Sequence, residues 1–231
     1  MGKYCCGIHW NFAPVVDINY NKDNPVTNTR SVSDCPEQVA KIAGAYVRGM
    51  QENGLAACAK HFPGDGIDWR DQHSLTTNNT LKMEDWRRLS GRVFQELIDD
   101  GVMSVMAGHI TLPDYQKERH NNMCLPATLS RELITDLLKN EMGFKGVAVT
   151  DALDMCGFMG YYDSLERGEI ESFKAGFDMM LWPSANYVEN MTQAVENGYI
   201  PMERLDDAVN RVLRMKEKLG LFEKDNHPRQ M

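Results

Sequence analysis

A chain of 231 residues that is 42% hydrophobic and 25% charged can bury one sizeable core, so 1–231 is read as a single globular domain and a disordered chain is excluded. A formal net charge of −8, with no dense Lys/Arg cluster to follow a phosphate backbone, argues against nucleic acid or an anionic membrane as a partner. Six cysteines, at 5, 6, 35, 58, 124 and 156, form no Cys-x-x-Cys pair, so no metal is expected. No apolar run approaches the roughly 20 residues of a membrane span. A reduced, cytoplasmic setting follows as the default, a signal peptide lost with missing N-terminal sequence being the alternative.

In chain order, Ile8 to Ile18 predicts a buried strand, with Pro14 marking its end or a bulge. A loop rich in Asn, Asp and Thr follows to Ser33. Ser33 or Asp34, with Pro36 and Glu37, then starts a helix whose apolar positions Val39, Ile42, Ala43 and Val47 fall at helical spacing up to Gly54. Leu55 to Ala59 is the next predicted strand, and Lys82 to Asp100 an amphipathic helix with Trp86, Leu89, Val93, Phe94, Leu97 and Ile98 inward. Val102 to Met106 predicts a strand closed by Gly108, His109 and Ile110, and Arg131 to Met142 a helix. Val147 to Thr150 predicts a strand ending in Asp151, followed by a helix near Leu165 to Ala175. A last strand, Asp178 to Trp182, ends at Pro183, with helices at Tyr187 to Asn197 and Glu203 to Leu219.

Strands alternating with helices at this spacing imply parallel βαβ units. The unusual polar residues, Asp17, Lys60, His61, His109 and Asp151, fall at or just after strand ends, where a (β/α) barrel builds its active site. Only five strands are clear against the eight of a complete barrel. The fold expected is therefore α/β, a parallel (β/α) TIM-type barrel that is incomplete.

The stretch Lys60 to His73 concentrates Asp65, Asp68, Arg70, Asp71 and His73 in one loop broken by Pro63, Gly64 and Gly66. A solvated polar loop explains each of these residues alone better than it explains the set. Lys-His-Phe-Pro-Gly at 60–64 with Asp-x-His at 71–73, Phe-Ala-Pro-Val-Val-Asp at 12–17, Arg-Ser at 30–31 and Val-Thr-Asp at 149–151 together resemble the catalytic domain of glycoside hydrolase family 3. The resemblance runs from about Gly7 to Leu221 and is strongest to the bacterial β-N-acetylglucosaminidase branch.

That resemblance implies Asp151 as the nucleophile of a retaining glycosidase, against a helix N-cap as the ordinary use of such an Asp. It implies His73 as the general acid/base and Asp71 as the carboxylate that orients it. Imidazole, titrating near neutrality, suits a group that must first give and then take a proton. Lys60, His61 and Arg30 match positions that hydrogen-bond the sugar, although Lys60 is also placed to pair with Asp17 or Asp151. His109 reads as a satisfied histidine, and Trp10 and Trp182 as core residues, with Trp69 left as a stacking candidate.

Family members carry additional N-terminal strands and helices, including an acidic strand end before a Gly-Gly, which nothing here matches. The chain therefore resembles a family domain lacking roughly its first two βα units. Its exposed strand edges call for self-association or a partner chain. The activity implied is hydrolysis of terminal β-linked N-acetylglucosamine with no cofactor, β-glucosidase or β-xylosidase activity being less expected. A phosphorylase, and a non-catalytic remnant or sugar-binding protein, are the alternatives.

Overall fold

The computed structural model describes residues 7–222; Cys5 and Cys6 lie outside them. Its main sheet has four parallel strands in the order β1 (Cys58–Phe62), β3 (Ser104–Ala107), β5 (Val147–Ala152) and β6 (Met179–Leu181). The short strands β2 (Thr77–Asn78) and β4 (Ile110–Thr111) form a second parallel pair, which the sequence did not suggest. The segment expected as a strand over 8–18 lies along the free edge of β1, with the Cys58 and Lys60 N–H groups donating to the Ala13 and Pro14 carbonyls, but it forms only isolated parallel bridges, Trp10 to Ala56 and Val15 to Lys60, and no named strand. Pro14 removes a donor midway along that edge, which keeps the ladder from becoming continuous. Five parallel positions connected by helices make this part of a (β/α) barrel, as expected.

Several boundaries move. β1 begins three residues later than predicted, so Lys60 and His61 lie inside the strand, and β5 runs on through Asp151. The helix expected over 82–100 is two, Met83–Arg88 and Ser90–Asp99, separated by Leu89 at φ −110 and ψ −102. The first helix spans Pro36–Glu52, starting with Pro36 where its missing N–H costs nothing. Its inward face is Val39, Ala40, Ala43, Gly44 and Val47, whereas Ile42, expected inward, is exposed. The helix Glu132–Glu141 has wide, π-type turns, as in the Met142 N–H bond to the Leu137 carbonyl.

The core lies between the sheet and these helices. Phe62 at the end of β1 packs edge-on against Trp86 and Phe94, with centroids 6.1 and 5.2 Å away. Trp86 is fully buried and its Nε1 donates to the Pro63 carbonyl at 2.7 Å, pinning the loop after β1 to the helix below it. Gly66, at φ +102, lets the loop cross the first segment: a Cβ there would sit 2.0 Å from the Ile18 carbonyl oxygen. Beside β6 lies a buried ionic cluster. Asp178 accepts from Lys139 Nζ and from Arg204 Nη2, each at 2.8 Å, and from the Ala148 N–H at 2.9 Å. Among the described residues no helix is long and apolar enough to cross a membrane.

Candidate active site

The ends of β1 and β5 and the edge segment over 8–18 bring His61, Asp151 and Asp17 together. Asp17 is buried, and its Oδ1 accepts the backbone N–H groups of His61 and Asp65 at 3.1 and 2.8 Å. Its Oδ2 stands 2.6 Å from His61 Nδ1, which turns the other ring nitrogen, Nε2, toward Asp151 Oδ2 at 3.8 Å. Burial by itself would lower the His61 pKa, but the Asp17 charge and hydrogen bond, with the Asp151 charge, outweigh it and raise it. For Asp17 burial works upward, and the His61 charge and hydrogen bonds overcome it, so the carboxyl stays below its ordinary range. The His61 ring thus stands between the side chains of Asp17 and Asp151. Asp151 closes this row from β5, its Oδ1 accepting the Ala152 N–H at 2.8 Å.

Lys60, the half-buried neighbour of His61, forms no ion pair with Asp17 or Asp151 among the described residues, although both charges act on it. Burial first, and then the Arg30 charge, lower the Lys60 pKa against the pull of Asp151, Cys58 and Asp17. Arg30 also acts on Asp71. Two cations from different segments therefore act on the carboxylates at this end of the sheet, Lys60 being reached by the charges of Arg30 and Asp151 and Asp71 by that of Arg30.

The loop after β1 carries the second constellation. His73 Nδ1 lies 2.6 Å from Asp71 Oδ1, and the His73 N–H donates to the same oxygen at 2.9 Å. Burial tends to raise the Asp71 pKa, but bonds from the His73 backbone and ring, followed by the charges of His73 and Arg30, hold it below the ordinary carboxylate value. Both side chains are exposed, at 56% for His73 and 39% for Asp71, as a group that meets a ligand from solvent must be. The loop is tied to the segment following Asp151: Cys156 N–H donates to the His73 carbonyl at 3.0 Å and Thr76 Oγ1 to the Gly157 carbonyl at 2.7 Å. All six sequence-predicted site residues, Arg30, Lys60, His61, Asp71, His73 and Asp151, thus line one end of the sheet, although His61 is buried behind the surface.

His109 is the satisfied histidine expected. Its Nε2 donates to the Ala152 carbonyl and its Nδ1 pairs with Thr128 Oγ1, both at 2.9 Å, and burial lowers its pKa to about 4. Trp10 is half-buried, with Nε1 on Ser104 Oγ at 2.7 Å. Trp182 corrects the reading: it is 66% exposed at φ +54, because β6 ends at Leu181 and the chain turns outward before Pro183. Trp69 is exposed as well. The sequence reading missed the tie of Asp17 to His61, since the pair is 44 residues apart; its signal was an acid at a strand end. Among the described residues no three or more His, Cys, Asp or Glu side chains are grouped to hold a metal. What the cleft offers instead is a carboxylate at a strand end, cations around it, and a carboxylate-oriented imidazole within an adjacent loop.

Residues 4–215 match the glycosyl hydrolase family 3 N-terminal domain. A β-N-acetylglucosaminidase/β-glucosidase of Cellulomonas fimi is 42% identical over 97% of this chain and 41% of its own length. The β-hexosaminidase A of Pseudoalteromonas piscicida is 34% identical over 92% and 38%. Among solved structures, a β-glucoside phosphorylase, BglX, superposes with a TM-score of 0.89 at 34% identity, covering 95% of this chain and 40% of that one. A family 3 β-N-acetylglucosaminidase from a Paenibacillus species gives 0.88 at 35% identity, covering 97% and 42%. The chain spans about two fifths of the length of each of these relatives.

Proposed function

This chain belongs to glycosyl hydrolase family 3, and from that premise we propose that it is a retaining exo-glycosidase acting on terminal β-linked N-acetylglucosamine or a related β-glycoside. The observation that carries the reading is the placement of Asp151 at the end of β5, with the Asp71–His73 pair in a loop bonded to the segment that follows it. In the first step Asp151 Oδ2 attacks the anomeric carbon as the bond to the leaving oxygen breaks, and His73, protonated on Nε2, gives that oxygen its proton. In the second step the neutral His73 takes a proton from water, which displaces Asp151 and releases the sugar. Asp71, 2.6 Å from Nδ1, holds and orients the ring in both steps. Lys60 and Arg30 donate to sugar hydroxyls from the cleft, and the buried His61 places a positive charge beside Asp151. The chemistry requires no metal or organic cofactor.

Phosphate in place of water is the second reading. An imidazole acid/base brings no negative charge to repel it, two cations face the cleft, and a 34% identical relative is a β-glucoside phosphorylase. We also place the barrel's open flank at β6, where Trp182 is exposed and a further strand or a partner chain would pack. Release of p-nitrophenol from its β-N-acetylglucosaminide and β-glucoside, with and without phosphate, separates these readings. Turnover that Asp151→Ala abolishes supports the glycosidase, and acceleration by phosphate supports the phosphorylase. Sugar binding without turnover would leave a non-catalytic sugar-binding protein.

A further inference from the structure

The groups assigned to proton transfer and to attack sit on different segments, the loop after β1 and the end of β5. Their separation must be fixed by whatever joins those segments. Between the exposed Asp71 and His73 stands Gln72, only 1% exposed. An amide buried so deeply has its polar atoms satisfied, and here both are used. Nε2 donates to Asp65 Oδ2 at 3.0 Å, and Oε1 accepts the His109 N–H at 2.9 Å.

Each partner is anchored in turn. Asp65 Oδ1 accepts from Asn24 Nδ2 and from the Gly66 N–H, at 2.9 and 2.7 Å, and the Asp65 N–H is bonded to Asp17. The His109 ring donates to the carbonyl of Ala152, whose own N–H donates to Asp151 Oδ1. A chain of hydrogen bonds therefore runs from the residue between Asp71 and His73, through His109 and Ala152, to Asp151. Two glycines let the parts close on one another. A Cβ on Gly108 would lie 2.5 Å from Gln72 Oε1, and one on Gly157 would lie 2.4 Å from the Gln72 carbonyl oxygen.

We propose that Gln72 is a positioning residue that sets the His73 imidazole against Asp151, acting through His109 and Ala152; this rests on the roles given to His73 and Asp151 above. Gln72 touches no substrate. Its buried amide turns the backbone so that its two neighbours face the cleft, and a misplacement of about 1 Å can cost about 100-fold in rate.

The test uses Gln72→Met, which keeps the length of the side chain and removes both bonds. It also uses the exchange of Asp65→Asn with Gln72→Glu, in which the new amide at position 65 donates to the new carboxylate at 72, restoring the bonds with roles reversed. On a methylumbelliferyl glycoside, whose leaving oxygen needs a proton, Gln72→Met is expected to lose about 100-fold in kcat with KM little changed. On a dinitrophenyl glycoside, whose leaving group departs without one, most of the loss disappears from kcat/KM, which reports the first step alone, while kcat stays low because water in the second step still needs His73 as its base. The paired exchange recovers activity that each single change loses. Independently of turnover, Gln72→Met speeds hydrogen exchange over residues 71–76, and the paired exchange restores protection. Equal loss of kcat/KM on both leaving groups, or unchanged exchange over 71–76, would overturn the proposal. If Gln72→Met does not fold, comparison of the paired exchange with its single changes decides alone. His73→Ala separates the two claims. If His73→Ala lacks the leaving-group dependence, its acid/base role fails and this proposal with it; if it shows that dependence and Gln72→Met does not, the positioning role alone is wrong.

Discussion

Asp17 and His61 form a buried ion pair, with Oδ2 and Nδ1 2.6 Å apart and the side chains 0% and 4% exposed. Two charges so far from water persist only because each meets the other and the remaining carboxylate oxygen accepts backbone N–H groups. Removing one partner leaves the other uncompensated. Asp17→Ala is therefore expected to lower unfolding stability by about 3–5 kcal/mol, read from urea denaturation. A loss below about 1 kcal/mol would place the pair among surface ion pairs in its worth.

The same pair sets a pH dependence. His61 is raised above its ordinary 6.5, so its contribution is complete below that pH and fades as pH rises through the raised folded value. Asp17 is lowered, so its contribution is complete above the ordinary carboxylate value and lost as pH falls through the folded one. Other buried groups act elsewhere. Asp65, raised to about 6 by burial and then the Asp17 charge, loses its contribution as pH climbs to that value. His109, lowered by burial to about 4, loses its contribution as pH falls to that value, so the two oppose each other. Lys139, lowered to about 8 by burial against the Asp178 charge, varies only above that. Between pH 6.5 and 8 the stability of the wild-type chain is expected to decline as His61 deprotonates, and His61→Gln to remove that slope. An unchanged slope in His61→Gln would assign the decline to another group.

What the sequence could show follows from range. Asp151 and the Asp71–His73 pair were legible because the first ends a run of apolar β-formers and the other two are two residues apart in one loop. Lys60 and His61 were legible by motif but misplaced, because Phe62 extends the strand past them through its packing on Trp86 and Phe94. The Asp17–His61 pair and the bonds of Gln72 were not legible, since each depends on how distant strands are aligned. Leu89 looked like an interior helix position because its apolar spacing is correct, yet its backbone breaks the helix. Trp182 looked buried because aromatic residues at strand ends usually are, and its exposure follows from β6 stopping one residue earlier.

The Asp71–His73 pair is exposed, which divides its effects. Asp71→Asn removes the carboxylate that holds and orients the imidazole. It is expected to lower kcat by about 10²–10⁴-fold, the range of general acid/base contributions, while stability changes by less than about 1 kcal/mol. Steady-state kinetics beside thermal unfolding checks both. A large loss of stability with activity retained would make the pair a fold element.

The ionic cluster at Asp178 gives the opposite pattern. Asp178→Ala removes the buried carboxylate that Lys139 and Arg204 share and leaves them only the more exposed Asp207, at 3.5 and 2.9 Å. The expected cost is about 3–5 kcal/mol of stability, with KM unchanged for the fraction that remains folded. A change in KM at a temperature well below unfolding would show that the cluster reaches the site.

The central claim is that Asp151 attacks the sugar, and covalent trapping tests it most directly. A dinitrophenyl 2-deoxy-2-fluoro β-glucoside leaves readily but slows the second step, so the glycosyl-enzyme accumulates. Mass spectrometry of the digested protein is expected to find one sugar on the peptide containing Asp151, and none in Asp151→Ala. A label on another carboxylate, or turnover retained by Asp151→Ala, would contradict the account.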